Sequence, residues 1–312
     1  MKKLVIYTML LAFAAASLSS FGQMTAQKVT DNIKDAYKDQ IQGIKDVTKK
    51  TDQGVQYQKW VEKSGNTIYK LRNEQEINGS KHITVYDGTY YWTKNPNMGG
   101  VTKKELEVNP MVYHDFLDDL DTEYDGKQKV NGKNCHVLKV ENADLDKMVN
   151  PTTGESMIPP QAEGMEEATV DAQFFVDEKD WVIVKTVFDV RGLQLNEKSR
   201  NAKMLMVNED FRNVEGLIIP YRTVSITKID MTAKEKEEAK KAQKSMEQMK
   251  EKMKNMSPEK RKMMEEYMKP QMEQMKKMKS LFMTGEMKQV HEVQEVKVNT
   301  GIPDHLFDGS QL

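Results

Sequence analysis

The sequence predicts an α+β fold in which antiparallel strands form a meandering sheet, with one helix before it and a Met-rich helical insert late in the chain. Three observations lead there. Short runs alternate apolar and polar residues, turn dipeptides separate these runs, and one late segment is dense in Lys, Glu, Met and Gln. The 312 residues are enough to bury a sizeable core. Cys135 is the single cysteine, so no disulfide framework supports the fold.

The first residues have the layout of an export signal. Lys2 and Lys3 precede an apolar, uncharged run, 4–16, and small residues follow it over 17–22. We therefore predict a signal peptide at 1–22 and a single mature domain at 23–312. No cysteine lies near the expected cleavage site before Gln23, so we expect a mature protein that is soluble and carries no N-terminal lipid.

An amphipathic helix is predicted over residues 30–50, capped by Thr30 or Asp31. Its apolar positions recur at steps of three and four, and charged residues occupy the opposite side. These apolar positions are Ile33, Tyr37, Ile41, Ile44 and Val47.

Turn dipeptides mark the hairpins that follow. Asn78-Gly79, Asp87-Gly88 and Asn131-Gly132 each separate two strand-like runs, and both residues adopt the positive φ angles of tight hairpin turns at low cost. Residues 177–180 form a fourth hairpin loop. Later strands are expected at 203–207, 217–219, 224–231 and 290–298. Such short connections favour antiparallel neighbours.

Two further segments are predicted between the strands. Asn109-Pro110 begins a short helix, and residues 142–168 form a long loop that is rich in Pro and Gly. One face of the sheet is apolar over most strands, and few helices are available to cover it. Either those helices cover it completely, or a groove for an apolar ligand remains. The residues expected to face that ligand are Tyr69, Leu71, Ile83, Val85, Trp92, Phe174, Val176, Val184, Phe188 and Ile226.

Residues 232–284 interrupt the strand pattern, and we call them the insert. Two helices are predicted at 233–255 and 258–282, with a kink at Pro270 and a helix start at Ser257-Pro258. Residues 232–288 contain 16 Lys and Arg against 10 Asp and Glu, a net charge of +6, whereas the rest of the mature chain carries −9. The flanking strands can still pair, because loop-closure cost grows slowly with loop length.

Methionines form one stripe on each predicted helix of the insert. The stripes can pack on each other, or they can form a surface for a partner protein or an anionic membrane. Capture of a soft metal by the thioethers is a third, weaker interpretation. The striped residues are Met246, Met249, Met253, Met256, Met264, Met268, Met272, Met275 and Met278.

The sequence contains no recognisable catalytic site. Its five histidines lack the spacing of a zinc site, and no nucleophile elbow or phosphate-binding glycine loop is present. Cys135 and His136 are adjacent on a predicted strand, so their side chains point to opposite faces. We therefore expect a protein that is not an enzyme, has no cofactor or metal, and does not bind nucleic acid.

Four segments carry a family resemblance: 87–92 (DGTYYW), 130–137 (VNGKNCHV), 213–220 (NVEGLIIP) and 298–307 (VNTGIPDHLF). With the signal peptide and the amphipathic helix, they resemble the LolA/LolB superfamily of periplasmic lipoprotein carriers, as a Met-rich branch. The resemblance implies a half-open β-barrel with helices as a lid over an apolar cavity, which holds acyl chains without catalysis in the periplasm.

Two functions follow as hypotheses. The first is a non-catalytic binding protein for lipid or lipoprotein acyl chains. The second is an envelope interaction protein, in which the β domain is a filled scaffold and the Met- and Lys-rich insert docks a partner or a membrane surface.

Overall fold

A computed structural model describes residues 24–63, 66–77, 80–95, 100–105, 117, 120–143, 168–195, 198–237, 241, 244–245, 248, 251 and 284–312. The predicted signal peptide, most of the short helix after Asn109 and most of the 142–168 loop lie outside these residues. Among the helices in the described residues, none is long and apolar enough to cross a membrane.

One helix, α1, spans Ala26–Ile41. Thr25 caps it, because its Oγ1 accepts a hydrogen bond from the Lys28 backbone N–H at 3.2 Å. The predicted helix over 30–50 was therefore wrong at both ends, and so were the predicted caps. Gly43 follows the helix with a φ of +80°, in the left-handed region that commonly ends helices. Val47, expected on the helix, lies instead in the first strand.

Thirteen strands follow: β1 Asp46–Thr51, β2 Gly54–Lys63, β3 Asn66–Ile77, β4 Ser80–Tyr86, β5 Tyr90–Lys94, β6 Val101–Glu105, β7 Thr122–Val130, β8 Lys133–Val140, β9 Thr169–Asp177, β10 Ile183–Leu195, β11 Lys198–Val214, β12 Leu217–Ile229 and β13 Glu286–Val298. They form one antiparallel sheet in the order β6-β5-β4-β3-β2-β1-β13-β12-β11-β10-β9-β8-β7. Within the described residues, β6 and β7 each pair on one side only, so the sheet is open. The antiparallel meander predicted from the turn dipeptides is confirmed.

The strands on either side of each predicted turn pair as antiparallel neighbours. Asn131 and Gly132 have φ angles of 48° and 85° between β7 and β8, as a type I′ turn requires. The runs predicted at 217–219 and 224–231 fall on one strand, β12, rather than two, and this strand ends at Ile229, two residues before the predicted end. Strand β12 pairs directly with β13, from Arg222 opposite Glu292 to Lys228 opposite Glu286. The insert therefore leaves the sheet between two paired neighbours, as predicted.

The sheet wraps around α1. Val29 and Ile33, near the start of the helix, pack against residues of β8–β11, while Tyr37 and Ile41, near its end, pack against β3–β5. We call the face of the sheet that contacts α1 the inner face, and the opposite one the outer face. A third cluster, around Val47, closes the middle of the inner face and joins the two halves.

Candidate ligand-binding face

Five of the ten residues predicted to face a ligand lie on the inner face, in two separate groups. Phe174, Val176 and Phe188 belong to the large cluster under the first half of α1, and each is at most 1 % exposed. The rings of Phe174 and Phe188 meet edge-to-face with centroids 6.2 Å apart. Tyr69 and Leu71 belong to the aromatic cluster under the second half of α1. The first group forms a filled core.

The other five predicted residues lie on the outer face, so the prediction of one common ligand face was wrong for them. Val184 is displaced by a register shift between Ile183 and Lys185, and it packs with Cys135 and Phe175. A bulge adds one residue to a strand and so interrupts the alternation of side chains. Val184 therefore lies on the face opposite to the one that strict alternation from Phe188 predicts.

Ile226 also lies on the outer face. It is directly opposite Leu205, whereas Met204, next along β11, packs in the inner cluster. Because side chains alternate between faces along a strand, Leu205 and Ile226 are on the outer side.

Ile83, Val85 and Trp92 are covered by residues 299–312, which we call the C-terminal strap. Ile302 and Phe307 of the strap pack with Ile83 and Val85 on the outer face. These side chains therefore line a protein core and not a ligand groove. The predicted grouping failed here because the apolar pattern of β4 has no feature that tells which face a distant segment will cover.

Two further contacts fix Trp92 and the strap. The Trp92 indole Nε1 donates to Asp87 Oδ2 at 2.8 Å, and a side-chain carbon placed on Gly309 would overlap the indole ring. Asp46, 3 % exposed, accepts hydrogen bonds from Thr300 and from the backbone N–H groups of Gly301 and Ile302. The sequence segments 87–92 and 298–307 are thus structural elements of one outer-face assembly.

The inner face of β1–β5 has a different composition from the core under the first half of α1. A row of directly opposed residues crosses these five strands, and all of its side chains are polar. We call it the polar row, and its members are Lys49, Gln56, Asn73, Thr84 and Thr93.

Two residues further along each strand, a second row of directly opposed residues crosses the same face. It contains the aromatic and aliphatic residues that pack against Tyr37 and Ile41, and we call it the aromatic row. Its members are Val47, Gln58, Leu71, Tyr86 and Tyr91.

Three buried polar atoms on this inner face have no hydrogen-bond partner in the part of the chain that the structure describes. They are Trp60 Nε1, His82 Nε2 and Thr84 Oγ1. A buried polar group without a partner costs roughly 1–3 kcal/mol, and such groups are rare in native proteins. All three lie on the inner face, in three different cross-strand rows.

Lys49 is the only charged member of the polar row. Among the residues that the structure describes, nothing forms a hydrogen bond or ion pair with its ammonium group. Burial lowers the pKa of Lys49, because desolvation disfavours the charged form. The same face raises the pKa of Tyr37 to about 12, again through burial. Burial, with a smaller contribution from Tyr37, also raises the pKa of Tyr69.

The inner face of β7–β10 holds one buried histidine. His136 is 2 % exposed, stacks on Trp181 with centroids 5.2 Å apart, and lies 3.1 Å from the Tyr124 hydroxyl through Nδ1. Burial lowers the pKa of His136, and Lys127 adds to this shift. Among the described residues, no three His, Cys, Asp or Glu side chains are placed to hold a metal ion.

The base of the insert is described, but its methionine stripes are not. Residues 233–237 are helical, in agreement with the predicted start. Thr232 and Glu235 form a capping box, with each side chain accepting from the other's backbone N–H. Glu235 also forms a two-pronged ion pair with Arg200 of β11, one contact being 2.8 Å. All nine striped methionines lie outside the described residues, so their role stays a prediction.

The sequence reasoning missed the polar row and the unpartnered atoms. Strands β1 and β2 were not among the predicted strands, because residues 44–50 also fit a helical pattern. The available signal was Gly43, which ends a helix, followed by the β-branched pair Val47-Thr48.

Comparisons with known proteins give distant structural likenesses. No protein-family model matches the sequence, and no curated protein matches it. Among solved structures, the chain is similar to a DUF1329 family protein from Desulfovibrio piger, with 11% identity, a TM-score of 0.48 and coverage of 93% of this chain and 100% of that one.

Two other solved structures are similar to it. One is a domain from Vibrio parahaemolyticus, provisionally named as an outer membrane lipoprotein-sorting protein (10% identity, TM-score 0.42, 92% of this chain and 98% of that one). The other is a LolA superfamily protein from Nitrosomonas europaea (11% identity, TM-score 0.38, coverage of 93% of this chain and 100% of that one).

Proposed function

We propose that this protein is a non-catalytic periplasmic carrier, which binds the acyl chains of a lipid or lipoprotein between α1 and the inner face of β1–β5. The observation that carries the proposal is that three polar atoms without a partner among the described residues, Trp60 Nε1, His82 Nε2 and Thr84 Oγ1, share the face of the aromatic row and lie on either side of it. Amphiphilic ligands suit such a face, since Tyr and Trp present an apolar body and a polar tip.

The surrounding structure supports this location. The inner face of β8–β11 is already filled by Phe174 and Phe188 under Val29 and Ile33, so a ligand has no room there without displacing core residues. The outer face of β3–β5 is covered by the C-terminal strap. Among the described residues, the inner face of β1–β5 combines apolar side chains with unmet hydrogen-bonding capacity.

The proposal predicts a copurifying ligand. The full chain is expressed in a Gram-negative host, purified from the periplasm without detergent, extracted with organic solvent and analysed by mass spectrometry. A stoichiometric acyl-bearing molecule is expected. An empty protein that also fails to bind a neutral fluorescent amphiphile such as N-phenylnaphthylamine would overturn the carrier proposal and favour the filled scaffold.

A pair of variants on β4 locates the ligand. Thr84→Trp places a large ring on the inner face and should weaken binding of the neutral probe at least about tenfold, a loss of roughly 1.4 kcal/mol. The matched control is Lys81→Trp, at an exposed position of the same strand. Equal binding by both folded variants would exclude the inner face of β4 as the site.

We also propose that the insert is a separate contact surface for anionic membrane. Support comes from its base, where β12 pairs with β13 and Arg200 binds Glu235, so the insert joins the sheet at one place with defined geometry. The net charge of +6 over 232–288, against −9 for the remaining mature chain, favours an anionic partner.

Deletion of the insert tests this second function. Replacing residues 232–284 by an Asn-Gly turn should leave a folded β domain and remove binding to vesicles of phosphatidylglycerol at low salt. The control replaces Arg200 by Ser in the intact chain, because the deletion also removes its partner Glu235. Equal vesicle binding by intact and deleted protein would contradict the membrane role, and an unfolded deletion would show that the insert belongs to the core.

A further inference from the structure

Lys49 places a positive charge on the inner face, at a point where the described structure provides nothing to neutralise it. The side chain lies on β1 between Val296 of β13 and Gln56 of β2, which are directly opposite it on either side. Directly opposed residues have Cβ atoms about 4.5–5.5 Å apart, so these two are its nearest cross-strand neighbours. Neither carries a charge.

In the described part of the chain, no acidic side chain compensates Lys49, since none of the carboxylates there lies within 4.0 Å of its Nζ. The other members of the polar row are neutral amides and hydroxyls. By contrast, most lysines that the structure describes as ion-paired lie on exposed surface, such as Lys81 with Glu74 and Lys127 with Glu178.

Hydrogen-bonding groups continue from Lys49 across the sheet. Gln56, 5 % exposed, accepts from Gln58 at 3.3 Å through its Oε1, which leaves its amide N–H groups for another acceptor. Asn73 lies next in the row, and the Thr84 hydroxyl after it has no partner among the described residues. The row is therefore rich in donors with one full positive charge at its β1 end.

The aromatic row lies two residues away along each strand, about 7 Å at 3.4 Å per residue. A molecule that lies on this face therefore meets hydrogen-bond donors on one side and aromatic and aliphatic side chains on the other. The distance between the two rows corresponds to the size of a head group next to the first carbons of a chain.

We propose that Lys49 and the polar row bind the anionic head group of an acyl-bearing ligand, while the aromatic row contacts its hydrocarbon. This inference rests on the proposed carrier function and adds the charge of the ligand and the residue that selects it. The shared chemistry is a carboxylate or phosphate oxygen attached to an acyl chain.

Electrostatics favour this occupant. An ammonium group partly removed from water is stabilised by an opposite charge nearby, and a charge-assisted hydrogen bond is about twice as strong as a neutral one. Desolvation lowers the pKa of Lys49 because it disfavours the charged ammonium form. A bound anion stabilises that charged form and therefore acts in the opposite direction.

The test compares ligands of one chain length and different head groups. Palmitate and hexadecanol compete with N-phenylnaphthylamine for the full-length protein, with phosphatidylglycerol and phosphatidylcholine as a second pair. Palmitate should bind at least about tenfold more tightly than hexadecanol to the wild type, as expected for one added charge-assisted hydrogen bond. Binding of phosphatidylglycerol shows whether a phosphate is accepted in place of the carboxylate. Phosphatidylcholine keeps the phosphate but has no net charge, so this pair isolates the preference for a net negative head group.

Variants assign the preference to Lys49. Lys49→Met should remove the advantage of palmitate over hexadecanol, while Lys49→Arg should retain it. The matched control is Lys50→Met, the next residue of β1, which is exposed on the outer face. It should bind both ligands as the wild type does.

The possible outcomes distinguish a failure of the role of Lys49 from a failure of the proposed carrier function. Equal affinity of the wild type for anionic and uncharged ligands, or an unchanged preference in Lys49→Met, would overturn the role of Lys49 and leave the carrier function in place. Failure of every amphiphile, the neutral probe included, would overturn both. Loss of binding in Lys50→Met equal to that in Lys49→Met would also count against a specific site.

Discussion

Strands β7–β11 and strands β1–β6 belong to one sheet, but their packing differs by face. In the β7–β11 half, the largest cluster lies on the inner face, where Phe174 and Phe188 pack under α1. In the β1–β6 half, Ile83 and Val85 pack on the outer face under Phe307 of the strap. The inner face there keeps a smaller aromatic cluster beside the polar row. In the β1–β6 half, apolar packing is therefore divided between the two faces.

The largest expected effect tests the core of the β7–β11 half. Phe174→Ala should lower the free energy of unfolding by about 3–5 kcal/mol, because it opens a cavity in a filled cluster. Gln173→Ala, the neighbour on the outer face of β9, should cost less than about 1 kcal/mol. Urea denaturation measures both. Similar small losses for the two variants would show that the inner face of this half is not the main core.

The next effect tests whether the strap stabilises the β1–β6 half. Asp46→Ala should cost roughly 2–3 kcal/mol, because it leaves the buried N–H groups of Gly301 and Ile302 without an acceptor. Asp46→Asn keeps one acceptor oxygen and should cost less. Hydrogen exchange should show lost protection in β3–β5 while β8–β10 stays protected. Uniform loss across the sheet would contradict a separate role for the strap.

A smaller effect tests the contact between the strap and Trp92. Gly309→Ala should cost about 1–3 kcal/mol, since the added methyl group overlaps the indole and forces the strap to move. Gln311→Ala, exposed in the same segment, serves as the control. Denaturation and tryptophan fluorescence report the change. Identical spectra and stability for the two variants would mean that Gly309 does not lie on Trp92.

A pH-dependent effect tests the cost of Lys49 in the ligand-free protein. Its folded-state pKa lies below the ordinary value of 10.5, so the unfolded chain binds the proton more tightly and stability rises with pH between the two values. Lys49→Met should therefore be more stable than the wild type at neutral pH, and the difference should shrink as pH approaches 10.5.

Denaturation at several pH values measures this difference, with Lys50→Met as the control that should show no such trend. A Lys49→Met protein that is less stable than the wild type at neutral pH would indicate that Lys49 supports the fold rather than a ligand.

The smallest effect concerns the polar row. Thr84→Val replaces a buried hydroxyl that has no partner by a methyl group of similar shape, and should be neutral or stabilising by up to about 1 kcal/mol. Thr93→Val, next in the row, should change stability less. Thermal denaturation of ligand-free protein measures both. A clear loss in Thr84→Val would mean that its hydroxyl has a structural partner after all.

The sequence by itself determined the local features of this protein. Asn131-Gly132 specifies a tight turn because both residues accept positive φ, and the runs on either side pair as strands. The insert is recognisable by composition, and the alternation of β9 correctly places Phe174 and Val176 on one face, because a strand has a two-residue period whatever surrounds it.

Only the tertiary structure decided which face of each strand is covered, and by what. The alternation of side chains along β4 predicts that Ile83 and Val85 share a face. It does not predict that the C-terminal strap, more than 200 residues later in the chain, packs on that face. A single bulge before Lys185 moves Val184 to the outer face. The polar row exists only because five strands align in register, so no local pattern encodes it. Local sequence sets periodicity and turns, whereas burial depends on contacts between residues far apart in the chain.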